Sequence, residues 1–163
     1  MPTTASVLAS VVEPQRAVRV DVRTGTGFTL TFDTGEAGER RAGPGPTESV
    51  LAALAACTSM DVGSILRKKR QPAASYRIAV TAEKADEHPQ VYLGIVVEHQ
   101  VSGEVEPEAL RRAIELSATT YCPVSAMLSH SVRIEHRYLL SREGQDNVSA
   151  VVAITGPEGM QVV

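Results

Sequence analysis

The chain has 163 residues, 43% of them hydrophobic and 21% charged, and a formal net charge of −3. That length leads us to expect one domain with a sizeable core, and the acidic balance argues against a polyanionic partner. Aromatic residues make up 4% and Trp is absent, which argues against a stacking platform for single-stranded nucleic acid.

Residues 1–15 read as a loose leader that lacks the basic region of a secretory signal. Arg16–Arg23 (RAVRVDVR) puts Val18, Val20 and Val22 on one face and charges on the other, as in a half-buried strand. A TGTG turn leads into Phe28, Leu30 and Phe32 at the same period, which makes a hairpin. Residues 34–46 form a Gly- and charge-rich loop. Pro46–Arg70 (PTESVLAALAACTSMDVGSILRKKR) then carries a proline near its start, cations in its last turn and Pro72 beyond, which are helix start and stop signals. Its first half is apolar nearly all round, so the helix is expected to be buried on several sides, with a second subunit supplying part of the cover. Its apolar run falls short of the ~20 residues of a membrane span.

Tyr76–Lys84 and Val91–Val101 alternate as a second hairpin, and Glu106–Ser117 has helical spacing behind Pro107. Pro123 starts another short helix, Val132–Leu140 is the last core strand, and Val148–Thr155 in the tail of residues 141–163 reads as an edge strand. Strand runs separated from helices imply an α+β fold with antiparallel sheets. The fold domain is expected over residues 16–140.

Two cysteines carry the chemical interest. Cys57 sits mid-helix in an apolar stretch, where a cysteine most often packs as a small hydrophobe. Cys122 stands in Tyr-Cys-Pro, where one helix stops and the next starts, near free backbone N–H groups that favour a thiolate. Asp61, four residues after Cys57, lies about 40° round the helix and on nearly the same face, whereas Glu48, nine before it, points about half a turn away. Glu48 also has a plain role as a first-turn acid complementing the helix dipole. His88, His99, His130 and His136 stand in no ligand spacing with either cysteine, so no metal site is expected. GPGP lacks the Lys and Ser/Thr of a phosphate loop, and no cofactor is expected.

The segments GPGPTESVLAALAACTSMDVGSILRKKRQ, EHPQVY, VSGEV and ELSATTYCPVSAML resemble the OsmC/Ohr superfamily of thiol-dependent peroxidases. DVGSILRKKRQ and the HP before the long strand resemble its YhfA-like branch. The resemblance implies an OsmC-like α+β fold, with antiparallel sheets wrapped around a long central helix in an intertwined homodimer. It implies Cys57 as the peroxidatic cysteine, oxidised to a sulfenic acid by an organic hydroperoxide or hydrogen peroxide. Cys122 would resolve that acid as a disulfide, which a dithiol or lipoyl-type reductant reopens. In the Ohr pattern a Glu ten residues before the cysteine works with an Arg from the first strand-turn region. Here position 47 is Thr and Glu48 stands at nine, and Arg23 is the first candidate for the cation, ahead of Arg19, Arg40 and Arg41. The departure leaves an alternative, a non-enzymatic redox-responsive or ligand-binding protein on the same fold. A cytoplasmic location, with no nucleic-acid or membrane partner, is expected.

Overall fold

A computed structural model describes residues 4–163 apart from Ala17, Ala37 and Pro72, so the stop signal at Pro72 lies outside the described residues. The chain divides into two compact units, Met1–Val50 and Leu51–Val163, where the length led us to expect one.

The first unit is a three-stranded antiparallel sheet of β1 (Val7–Val12), β2 (Arg19–Thr24) and β3 (Thr29–Asp33), in that order. The β2–β3 hairpin is the expected one. β1 corrects the leader: VLASVV pairs along β2, from Val7 opposite Thr24 to Val12 opposite Arg19. A strand that short shows too little alternation to stand out in the sequence, and its cross-strand partners define it. Asp33 anchors the following loop by accepting hydrogen bonds from Gly35 N (2.7 Å) and Ala42 N (2.9 Å), which hold its carboxyl below the usual range. Gly43 passes so close to β3 that a Cβ there would sit 2.1 Å from the Thr31 carbonyl oxygen.

The helix α1 (Pro46–Lys68) starts with Glu48 in its first turn and ends with Arg67 and Lys68 in its last, as the helix dipole favours. Its buried residues are Leu54, Thr58, Val62 and Leu66. They recur every four residues, so a single stripe faces the core. The expectation of burial on several sides is not met within this chain: Met60 is 73% exposed and Ala52, Ala53 and Ala56 are exposed. By length and hydropathy alone α1 is also long and apolar enough for a membrane span, contrary to the estimate from sequence.

The second unit holds a five-stranded sheet in the order β4 (Ser75–Lys84), β5 (Tyr92–Ser102), β6 (Arg133–Ser141), β7 (Val148–Gly156), β8 (Gly159–Val162). β4 and β5 form the expected hairpin. β6, however, pairs with β5 in parallel, so the sheet is mixed and not purely antiparallel. The connection between them is long enough to return the chain to the same edge, as parallel pairing requires. It consists of α2 (Pro107–Leu116), one π-helical turn (Ser117–Tyr121) and α3 (Pro123–Ser129). β7 is an inner strand, and the edge is β8. Gln71 Oε1 accepts from Glu106 N at 2.8 Å at the start of α2.

Two apolar clusters fill this unit. One gathers Val62 and Leu66 of α1 with Val101, Leu110, Ile114, Leu140 and Val152. The other joins Leu54 to Ile95, Val97, Ile134 and Cys122, with Cys57 packed at its margin. Full burial of one Leu or Ile side chain contributes about 1.5–3 kcal/mol, so these clusters fix where the helix stripe lies against the sheet.

Candidate active site

α1 places Cys57 and Asp61 one turn apart on the same side. The π turn and α3 bring Cys122 to them. The two sulfurs and a carboxylate oxygen of Asp61 all lie within 4.8 Å of one another. Thr58 and Leu54, on the neighbouring buried stripe, hold this part of the helix in the core.

The π turn decides where Cys122 sits. Cys122 N donates to Ser117 O at 2.9 Å, closing the wide turn. Such turns insert a residue into a helix and often mark functional sites. Cys122 itself is extended (φ −74°, ψ 104°) and begins α3, and its Sγ accepts a hydrogen bond from Ser125 N at 3.3 Å. The Tyr-Cys-Pro boundary expected from sequence is therefore present.

Cys122 is 2% exposed, while Cys57 is half-buried, and both are free thiols. Burial pushes the Cys122 thiol up to about 12, and the neighbouring Cys57 adds to the rise. The N–H groups of Ser125 and Val124 oppose that rise only in part. At neutral pH Cys122 thus keeps its proton, and its S–H is available to the sulfur of Cys57.

Asp61 is oriented by a second layer of side chains. Ser117 Oγ donates to Asp61 Oδ2 at 3.0 Å, and Ser117 Oγ shares a hydrogen bond of 3.0 Å with Thr58 Oγ1. Ser117 and Thr58 are fully buried, so this bridge fixes α1 against the π turn. A cleft of about 470 Å³ opens beside Asp61, lined by residues that include Lys68, Lys69 and Tyr121.

The other sequence candidates lie elsewhere along the chain. Glu48 Oε2 accepts from Gly45 N at 3.4 Å in the first turn of α1. Arg23 is exposed in β2 of the first unit, opposite Leu8 and Thr29. Arg19 lies 3.7 Å from Asp21, and Arg40 and Arg41 are exposed. None of these belongs to the unit that builds the sulfur cluster.

Sequence reasoning missed Ser117, Thr58 and Ser125. Thr58 was detectable as a polar residue on an apolar stripe, but its partner is 59 positions away. It also missed a buried polar network next to the site. Ser125 Oγ lies 3.4 Å from His136 Nε2, His136 stacks on His99, and His99 Nδ1 shares a 2.7 Å hydrogen bond with Tyr76 Oη. Burial holds His99 down to about 3, helped by His136, and His136 down to about 4, so both imidazoles are neutral. The expectation of no metal site rested on linear spacing, yet Cys57, Asp61 and Cys122 form a set of three donors.

A long helix and a returning helical turn that juxtapose two free thiols on an α+β scaffold define a dithiol protein. The OsmC-like protein family model matches residues 36–137, and the chain belongs to that family. It is 36% identical to protein YhfA of Escherichia coli over 114 residues, which cover 69% of this chain and 83% of that protein. Among solved structures, an OsmC-like protein from Mycoplasma pneumoniae superposes with a TM-score of 0.72 at 16% identity, covering 86% of this chain and 99% of the other. The organic hydroperoxide resistance protein OsmC from Legionella pneumophila gives 0.61 at 14% identity, covering 85% and 97%. These two structures share the fold.

Proposed function

We propose that the protein is a thiol-dependent peroxidase that reduces organic hydroperoxides or hydrogen peroxide. The observation that carries the reading is the approach of a half-buried Cys57 and a buried Cys122 to within 4.8 Å in a family with hydroperoxide-resistance members. The Cys57 thiolate attacks the distal oxygen of ROOH. The O–O bond breaks, the alkoxide takes a proton and leaves as ROH, and Cys57 becomes a sulfenic acid. Cys122 then attacks that sulfur; the S–O bond breaks and water leaves, the Cys122 proton going to the departing hydroxide. The raised thiol range of Cys122 supports this division, because burial keeps Cys122 protonated and leaves it the resolving and not the attacking role.

A dithiol or lipoyl-type reductant would reopen the disulfide, and a reducing cytoplasm would keep the pair reduced between turnovers. We infer a homodimer from the apolar surface that one chain leaves uncovered on α1, at Val50 and Met60, and on the first sheet, at Val7, Leu8 and Phe28. Glu48 and Arg23 are assigned as the residues that would position peroxide, on the family resemblance. Reduced protein given a dithiol and cumene hydroperoxide should turn over, and Cys57→Ser should abolish it. Equal turnover in that variant sinks the reading.

Asp61 favours a second reading. A carboxylate beside two sulfurs disfavours thiolate, which suits a slow redox-responsive pair better than a fast enzyme. Stoichiometric disulfide formation with peroxide, without catalytic turnover on added dithiol, would select it.

A further inference from the structure

We propose that the reduced site binds one thiophilic divalent cation of the zinc type through Cys57 Sγ, Cys122 Sγ and a carboxylate oxygen of Asp61, and that the bound cation blocks Cys57. The binding stands independently of the peroxide reading; the block of peroxide reduction rests on it.

Three donors of the right chemistry already converge. Zn²⁺ takes thiolate sulfur at about 2.3 Å and carboxylate oxygen at about 2.0–2.2 Å in a tetrahedron, which sets two bound sulfurs about 3.8 Å apart. Donor atoms that all lie within 4.8 Å of one another reach that spacing by side-chain shifts of about 1 Å or less. Cys57 and Asp61 sit one helical turn apart, the spacing by which a helix offers two ligands to one ion. Two sulfurs and one oxygen suit zinc better than Mg²⁺ or Ca²⁺, which prefer oxygen alone.

The ligands are also held from behind. Ser117 Oγ donates to Asp61 Oδ2, one of the carboxylate's two oxygens, and Thr58 Oγ1 fixes Ser117 in turn. Ser125 N donates to Cys122 Sγ. Outer partners of this kind orient ligands and typically contribute tenfold to hundredfold in affinity. Three protein donors leave a fourth position open, as in zinc sites that accept solvent. Binding forms two sulfur–metal bonds with no change of oxidation state, any proton on the ligating sulfurs leaving to water.

The probe is Zn²⁺ itself, titrated into fully reduced full-length protein against a chromophoric chelator, with Co²⁺ as a spectroscopic substitute. The expected result is one equivalent per chain and a thiolate-to-cobalt charge-transfer band. Asp61→Asn should weaken binding by at least about tenfold, Ser117→Ala by about tenfold, and Cys57→Ser and Cys122→Ser should remove the charge-transfer pair. The preformed disulfide should not bind. Protection of wild-type thiols from iodoacetamide by one equivalent of Zn²⁺ gives a readout that needs no variant. The proposal is overturned if reduced wild-type protein binds no more tightly than the doubly Ser-substituted chain, or if the disulfide form binds equally. In single-turnover reaction with peroxide, free of competing dithiol, stoichiometric Zn²⁺ should stop Cys57 oxidation. Zinc binding without any peroxide turnover leaves the metal site standing and removes the peroxidase; turnover that saturating Zn²⁺ leaves unchanged overturns the blocking.

Discussion

Two groups of polar side chains lie in the apolar interior of the second unit, and they differ in what they leave open. Around Cys57, Asp61 and Cys122 the supporting groups are paired, through Ser117 and Thr58, while Cys57 is only half-buried. Around Tyr76, His99 and His136 both imidazoles are fully buried, and among the described residues His99 Nε2 and His136 Nδ1 have no hydrogen-bond partner. Buried imidazoles held neutral in this way contribute packing and a fixed geometry, whereas a half-buried thiol with supported neighbours is what the proposed peroxide reaction requires. Ser125 joins the two: its N–H meets Cys122 and its hydroxyl meets His136.

The largest effect expected is on chemistry at the half-buried Cys57. Cys57→Ser should lower peroxide turnover by at least about 10³-fold, roughly 4 kcal/mol in barrier, with folding unchanged by circular dichroism. If a variant in the histidine network lowers turnover as far while the fold persists, the contrast between the two regions fails.

Stability in acid should report the histidine region. Both imidazoles are held below their ordinary 6.5, to about 3 and about 4, so below pH 6.5 the unfolded chain binds protons that the folded chain refuses. The stabilisation is present above 6.5 and is lost as pH falls towards 4, with a slope of up to about 1.4 kcal/mol per pH unit for each histidine. Urea midpoints measured across that range should show it, and replacing both histidines by Gln should flatten the profile. An unchanged slope would mean that carboxylates elsewhere control acid stability.

Asp61→Asn should raise the rate of Cys57 alkylation by iodoacetamide by up to about tenfold, since it removes a negative charge beside the sulfur. A slower reaction would show that Asp61 assists Cys57 instead. Thr58→Val should cost about 1 kcal/mol in urea unfolding, because it removes the buried bond to Ser117 while keeping the volume. A neutral result would show that Ser117 is held well enough by Asp61 alone.

Much of the fold was legible in local pattern. The alternation of β2, β4, β5 and β6, the proline-started helices, and Cys122 at a helix boundary all follow from residues within a turn or two of each other. β1 and the two-unit division were not legible, because VLASVV gains its strand identity only from pairing with β2. The parallel β5–β6 pairing was equally hidden, since hairpin signals describe neighbours and this pair is separated by a helical crossover.

At the site the division is sharper. By helical period alone, the sequence determined that Asp61 shares a face with Cys57, and the resemblance attached Cys122 to them. Only the tertiary structure decided that a π turn ending at Cys122 brings its sulfur to the pair, and that Ser117 holds the carboxylate while Thr58 holds Ser117. Contacts across 56 and 59 positions leave no periodic trace in a chain. They exist because burying the apolar stripe of α1 brings those backbone segments together.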